Sequence, residues 1–198
     1  MALSQNESEA TASKVLLMGK QMRHFLVTAL LFISFIITAH AQQATTRNAG
    51  KLIGQEVGLK LKDLSGDEQS LDALKGRIVI LNFWATYCIP CRTEMPELVA
   101  LQNEFGALGV QVIGASADTA KDKNKVLQFV KENKINFPVW LGVTTAATVR
   151  FGLTNSLPAT VVIGKDGKIA KVLSGVFNPD ALKMQIESML SASSVSRL

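Results

Sequence analysis

The two cysteines of this 198-residue chain are its residues best suited to chemistry, because only two positions separate them in Cys88-Ile89-Pro90-Cys91. They follow a continuous apolar run and open a predicted helix. Unpaired backbone N–H groups and the positive end of the helix dipole favour a thiolate there. The thiolate is the species that attacks a disulfide, and a second thiol one helical turn away can resolve the mixed disulfide. The spacing therefore predicts a redox-active dithiol.

Three other interpretations of the cysteine pair have to be weighed. A zinc site would need two more Cys or His ligands, and covalent haem attachment would need His after the second cysteine, where Arg92 stands. A purely structural disulfide would close a very small loop and gain little stability from it. Both histidines, His24 and His40, lie in the leader described below, so the rest of the chain has no imidazole for catalysis or metal binding. We predict no metal and no cofactor.

Residues 1–41 have the pattern of a secretory leader. Basic residues precede an apolar run over 25–38, and an A-x-A site that ends at Ala41 follows it. The run is shorter than the roughly 20 residues that a membrane span needs. We expect cleavage after Ala41, with an uncleaved anchor over 25–38 as the alternative and Met22 as an alternative start.

Composition places the remaining chain in the globular class. The chain is 47% hydrophobic and 19% charged with a net charge of +5, which excludes a disordered chain and a collagen. Only one apolar run is long enough to consider as a membrane span, which excludes a multi-span membrane protein. Lysines alternate with polar and acidic residues over 121–125, and no basic block carries aromatic side chains, so we predict no nucleic-acid binding. Residues 42–52 are small and polar, which indicates a flexible lead-in to one domain over 53–192.

The elements that position the thiols follow the order β-α-β-α and then β-β-α. A continuous apolar run over 77–84 predicts a central strand covered on both faces. Residues 90–108 predict a helix with an apolar stripe that includes Leu108, and Pro96 should kink it. Other segments predict strands over 56–64, 110–116, 137–141, 159–163 and 168–173, helices over 123–133 and 145–151, a helical turn over 71–74 and a last helix capped by Asn178. This order indicates an α/β sheet with a parallel part and a terminal antiparallel hairpin.

The stretch NFWATYCIPCRTEMPEL, residues 82–98, resembles the active-site segment of envelope thioredoxins of the TlpA/ResA type. The resemblance covers residues from about 53 to 190, including Leu157-Pro158. It implies a thioredoxin-like fold, a central mixed sheet flanked by helices, with an N-terminal strand extension and a C-terminal hairpin plus helix. It also implies that Cys88 is the exposed nucleophile and Cys91 the buried resolving thiol.

The resemblance implies supporting roles around the dithiol. Trp84 and Tyr87 would flank the thiols and shape a flat apolar docking surface, with ordinary aromatic packing as the alternative for both. Pro90 would help tune the redox potential. Pro158 would be a cis-proline opposite the cysteines, where it blocks metal binding and its flanking backbone can pair with a substrate chain. Glu94, one helical turn beyond the second cysteine, would influence the protonation of the thiols, with an ordinary glutamate near the positive end of the helix as the alternative.

Two positions depart from related proteins. Asn82 stands where cytoplasmic thioredoxins carry a buried aspartate that serves as a proton shuttle. An amide cannot titrate, so this role falls to Glu94, to water or to nothing. Ala159 replaces the Thr or Glu that is common after the cis-proline, which leaves the partner preference open.

The leader and the resemblance together predict an exported thiol-disulfide oxidoreductase of the periplasm or cell envelope that reduces client disulfides. We expect it to be a monomer. A membrane thiol relay of the DsbD kind would supply its electrons, and clients would include apocytochrome c or metal-site cysteines. One alternative is a thiol peroxidase of the peroxiredoxin branch, although the segment before Cys88 lacks the proline of the P-x-x-x-T-x-x-C loop. The other is a thiol-based chaperone or metallochaperone in cytochrome or oxidase assembly.

Overall fold

A mixed sheet lies at the centre of the computed structural model, which describes residues 52–154 and 156–195. The predicted leader and nearly all of the lead-in fall outside these ranges. The strands are β1 Lys60–Asp63, β2 Glu68–Ser70, β3 Ile78–Trp84, β4 Val110–Ser116, β5 Val139–Leu141, β6 Ala159–Ile163 and β7 Ile169–Ser174. They lie in the order β2-β1-β5-β4-β3-β6-β7. Strands β3, β4 and β5 are parallel, and the other pairings are antiparallel.

Helices cover both faces of this sheet. They are α1 Ile89–Phe105, α2 Lys123–Glu132, α3 Thr145–Arg150 and α4 Pro179–Val195, with 3-10 turns at Leu71–Leu74, Gly106–Leu108 and Ala120–Asp122. The cap predicted for the last helix is confirmed, because Asn178 Oδ1 accepts the backbone N–H of Ala181 at 3.0 Å. Among the described residues, no helix is long and apolar enough to cross a membrane.

Strand β3 is the element that joins the two halves of the core. All seven of its residues are buried, as the continuous apolar run predicts. Side chains alternate along a strand, so Ile78 and Ile80 contribute to the core cluster that contains buried residues of α1, α2 and α4. Leu81 and Phe83 contribute to the cluster on the other face, which includes Phe151 after α3. This rigid strand leads directly into the loop before the cysteines.

The first predicted strand, over 56–64, is only partly correct. Pairing with other strands is confined to Lys60–Asp63, while Glu56 forms an isolated bridge with Lys168. Strand β2 is a feature that the sequence analysis missed, because it has only three residues and little apolar patterning. It pairs with β1 through a turn in which Asp63 Oδ1 accepts the backbone N–H groups of Ser65, Gly66 and Asp67 at 2.8, 2.9 and 3.1 Å.

The predicted helix over 90–108 is confirmed except at its end. Helix α1 stops at Phe105, and a 3-10 turn with Gly109 at a φ of 91° follows it. Leu108 lies in that turn and is 59% exposed, so its expected place on the buried stripe is wrong. The tighter turn changes the angular spacing of side chains, which carries Leu108 away from the face that α1 buries.

Candidate functional site

The Cys88–Cys91 disulfide lies at the N-terminus of α1, with the two Cα atoms 5.3 Å apart. Cys88 is the N-cap residue, with extended backbone angles, and its Sγ accepts the backbone N–H of Cys91 at 3.3 Å. Cys88 is 9% exposed, whereas Cys91 is 0% exposed. Pro90 lies in the first turn of the helix, where a backbone N–H would have no acceptor within the helix, so the lack of an N–H in proline costs no hydrogen bond. The Sγ of Cys88 therefore lies at the positive end of a helix, in the less buried of the two cysteines.

A four-residue turn connects β3 to Cys88, which keeps only 9% exposure and is therefore less exposed than the resemblance implies. The backbone N–H of Cys88 donates to Ala85 O at 3.1 Å, which closes the turn directly after β3. Tyr87 within the turn is 71% exposed and Ile89 after it is 75% exposed, so both flank the disulfide.

Trp84 does not shape a docking surface, and that expectation is wrong. Its side chain is 0% exposed, and its ring packs against Phe129 of α2 with 5.1 Å between ring centroids. Trp84 is the last residue of β3 and shares the face of Ile80, so the alternation of the strand directs it into the core.

A buried cluster of three polar side chains lies in the layer between the sheet and α1. Its members are Asn82, Glu94 and Thr160. Asn82 Nδ2 donates to Glu94 Oε1 at 2.7 Å and to Thr160 Oγ1 at 3.1 Å. Asn82 and Thr160 are directly paired residues of β3 and β6, and Glu94 reaches them from α1 one turn beyond Cys91. All three side chains are buried. The structure thus brings the predicted Glu94 together with Asn82 on the helix face that carries the inner cysteine.

Burial raises the pKa of Glu94 to about 7, although the hydrogen bond from Asn82 and the backbone of Phe177 favour the carboxylate. Among the described residues, Glu94 Oε2 and Asn82 Oδ1 have no hydrogen-bond partner. Glu94 can therefore gain or lose a proton near neutral pH, which the amide of Asn82 cannot do.

Asp118 is a buried carboxylate that the sequence analysis missed. Its Oδ2 accepts the backbone N–H of Thr86 at 2.8 Å and the hydroxyl of Ser116 at 2.7 Å, and its Oδ1 accepts the hydroxyl of Thr86 at 2.6 Å. A signal was available, because parallel strands β3 and β4 end at one edge of the sheet and polar residues follow both ends. Thr86 and Asp118 meet there, beside the turn that leads to Cys88.

The Leu157–Pro158 peptide bond is cis, as the resemblance implies. Ala159 pairs with Phe83, so the register places Pro158 beside the end of β3, from which the turn to the cysteines departs. Ala159 itself is buried and belongs to the core. The described residues contain no group of three or more His, Cys, Asp or Glu side chains that could hold a metal ion.

A mixed sheet, a Cys-x-x-Cys disulfide at the start of α1 and a cis-proline before β6 together define a redox protein with a thioredoxin-like fold. The sequence model of the AhpC/TSA family matches residues 53–172. The thiol-disulfide oxidoreductase ResA of Halalkalibacterium halodurans is 30% identical over 161 residues, which are 80% of this chain and 90% of that protein. A ResA of Bacillus cereus is 32% identical over 175 residues, with 87% and 97% covered.

Solved structures of thiol-disulfide oxidoreductases are also similar to this chain. A thiol:disulfide interchange protein of the thioredoxin family from Chlorobium tepidum has a TM-score of 0.59 at 25% identity, with 68% of this chain and 94% of that chain covered. A DsbF homologue from Corynebacterium diphtheriae has a TM-score of 0.59 at 29% identity, with 66% and 83% covered. The chain belongs to the AhpC/TSA family and, within the thioredoxin superfamily, to the ResA-like thiol-disulfide oxidoreductases.

Proposed function

We propose that this oxidoreductase is an exported reductant of protein disulfides, in which Cys88 attacks the client and Cys91 resolves the intermediate. The observation that carries the proposal is the asymmetry of the two sulfurs at the start of α1. Cys88 has solvent-exposed area and its Sγ accepts a helix N–H, whereas Cys91 has no exposed area. Of the two cysteines, only Cys88 keeps exposed area through which a client could approach.

The reaction transfers two electrons from the dithiol to the client. The Cys88 thiolate attacks one sulfur of the client disulfide, the client S–S bond breaks, and the other client sulfur leaves as a thiolate. The Cys91 thiolate then attacks Cys88 Sγ. This step breaks the mixed disulfide, releases the second client thiolate and forms the Cys88–Cys91 disulfide. The two client thiolates take up protons, so the client is reduced and the protein is oxidised.

Glu94 is suited to accept the proton of the inner thiol. The Cys91 thiol is buried and must lose its proton before it can attack, and Glu94 lies one turn further along the same helix. A carboxyl group with a pKa of about 7 can accept a proton near neutral pH. Asn82 holds the carboxyl group in the buried layer through the bond to Oε1.

The surface around Cys88 supports binding of an extended apolar client segment. Tyr87, Ile89 and Val176 are exposed apolar side chains next to the disulfide turn or in the loop that contacts the cis-proline. That loop is held close because the backbone N–H of Gly175 donates to Pro158 O at 2.9 Å. The Leu157–Pro158 backbone is the segment that would pair with the client, as the resemblance implies.

Export and the identity of the clients complete the proposal. The basic, apolar and A-x-A pattern over 1–41 supports a destination in the periplasm or cell envelope, with the leader cleaved or kept as an anchor. A membrane thiol relay would reduce the disulfide again after each cycle. Apocytochrome c haem-site cysteines and metal-site cysteines are the proposed clients, since a pair of client thiols is what such cofactors need.

Trapping tests this proposal. Cys91→Ser should capture clients from envelope extracts as mixed disulfides that a reductant releases, because nothing remains to attack the Cys88–client bond. Cys88→Ser, the matched control, should capture none. Absence of adducts with Cys91→Ser, together with rapid hydroperoxide reduction by the reduced wild-type protein, would contradict the proposal and favour the thiol peroxidase alternative.

A further inference from the structure

We infer that Asp118 is a positioning residue for the reaction, because its buried carboxylate holds, through Thr86, the turn that presents Cys88 at the start of α1. The inference rests on the proposed role of Cys88 as the attacking thiol. It assigns a task in thiol reactivity to a side chain that lies on a different strand end from the cysteines.

The carboxylate of Asp118 is fixed by three donors. Both donors of Thr86 are used, its backbone N–H by Oδ2 and its hydroxyl by Oδ1, and the Ser116 hydroxyl also donates to Oδ2. The Asp118 backbone N–H in turn donates to Ser116 Oγ at 3.0 Å. Among the described residues, no salt bridge involves Asp118. A buried charge without a salt bridge depends on such bonds, so the arrangement is rigid.

Thr86 transmits this rigidity to the outer cysteine. It occupies the second position of the turn that the Cys88 N–H closes on Ala85 O. Cys88 keeps an extended backbone, with φ −86° and ψ 102°, and this geometry places its Sγ 3.3 Å from the Cys91 nitrogen. A turn released from Asp118 would let Cys88 leave the N-cap position. The thiolate would then lose the helix N–H groups that favour it.

The charge of Asp118 acts in the opposite direction from its hydrogen bonds. Any effect of the Asp118 charge on the Cys88 thiol would disfavour the thiolate, whereas correct placement of the turn favours it. A variant that keeps the charge and removes one bond to the turn therefore isolates the positioning effect. Thr86→Val does this, since valine has the shape of threonine without the hydroxyl. Ser116→Ala is the comparison variant, because the two bonds that it removes, the donation to Asp118 Oδ2 and the acceptance of the Asp118 backbone N–H, do not involve the turn.

The experiment measures the rate at which iodoacetamide alkylates Cys88 as a function of pH. The full chain carries Cys91→Ser, so Cys88 is the single thiol, and Glu94, Arg92 and Tyr87 are the same in every variant. Thr86→Val should slow alkylation at pH 7 about three- to tenfold and move the pH midpoint upward by about half a unit to one unit. Ser116→Ala should stay within about twofold of the parent, and Thr86→Ser should restore the parent profile.

Equal effects of Thr86→Val and Ser116→Ala would overturn the inference, since both would then report a general loss of stability. Asp118→Asn gives a second test if Thr86→Val does not fold. A higher pKa of the Cys88 thiol in Asp118→Asn supports positioning, because loss of the negative charge alone would lower it, and a lower pKa contradicts it. Alkylation needs no client, so this result is independent of whether trapping succeeds.

Discussion

Glu94 is a carboxyl group that the fold keeps in a buried layer under the dithiol, and this placement has a cost that depends on pH. Its pKa is raised by burial to about 7 from an ordinary value of 4.5. Below the lower value, both folded and unfolded chains carry the proton and the cost is absent. As the pH rises from 4.5 to 7, the unfolded chain ionises first, so the folded state loses stability relative to it.

The variant Glu94→Gln tests this linkage. From pH 5 to pH 8, the oxidised wild-type protein should lose roughly 1–3 kcal/mol more unfolding free energy than Glu94→Gln, because glutamine does not titrate. Urea unfolding of both oxidised proteins at the two pH values measures the difference, and the other titrating groups cancel in it. Parallel pH dependences would show that Glu94 ionises normally in the folded protein.

At the residue scale, the site residues could be predicted from the sequence where their arrangement depends on spacing within one helix. Cys88 and Cys91 share one helix start, and Glu94 follows at the next turn, so a single helix fixes their relation. Asp118 could not be found in this way, because its partner Thr86 is 32 positions away and the contact depends on neighbouring strand ends. The error at Trp84 was avoidable, since a strand covered on both faces leaves its last residue no free surface.

The packing of β4 against the end of β3 leaves no space for a side chain at Gly114. A Cβ at this position would lie 2.9 Å from Trp84 Nε1 and 3.2 Å from Phe137 Cε2. Both rings are buried, so neither can move without disturbing the core beneath the active-site turn. The glycine is therefore required by space.

We expect Gly114→Ala to destabilise the protein by about 1–3 kcal/mol, the usual cost of an overpacked core. Gly58→Ala is the matched control, because a Cβ added there would have nothing within 4 Å and the φ of Gly58 is not in the left-handed region. Urea midpoints of both variants provide the measurement. A Gly114→Ala midpoint equal to that of Gly58→Ala would mean that Trp84 has room to move.

At the element scale, long apolar runs were predicted correctly and short polar ones were not. β3 and α1 carry strong patterns, and their observed bounds agree with the predicted ones to within a few residues. β2 lacks such a pattern and exists because the Asp63 turn brings it back onto β1. Its formation depends on a pairing partner, which the propensity of three residues cannot reveal.

At the scale of the whole molecule, the sheet order brings the site together. β3 and β4 are parallel neighbours, so their C-terminal ends lie side by side. The turn to Cys88 and the Asp118 loop therefore leave the sheet at the same end of these strands. The edge strands are β2, which has three residues, and β7, which carries Lys171 and pairs with β6 through an irregular register. Short or charged edge strands oppose the pairing of a further strand from another chain. They therefore support the prediction of a monomer.

The α/β fold class could be predicted from the order of strands and helices along the chain. The positions of β1, β2 and β5 in the sheet could not, because they depend on pairing between strands that are far apart in sequence.

The central claim is the proposal that a single dithiol per chain reduces client disulfides and that Cys88 is the thiol that attacks first. The most direct measurement compares Cys91→Ser with Cys88→Ser in their reaction with one equivalent of a peptide disulfide at pH 7. Acid quenching and mass spectrometry give the rate of mixed-disulfide formation for each variant. We expect the adduct on Cys88 to form at least about tenfold faster, because Cys91 is fully buried and Cys88 sits at the N-cap. Equal rates, or faster reaction of Cys91, would contradict the assignment of the attacking thiol.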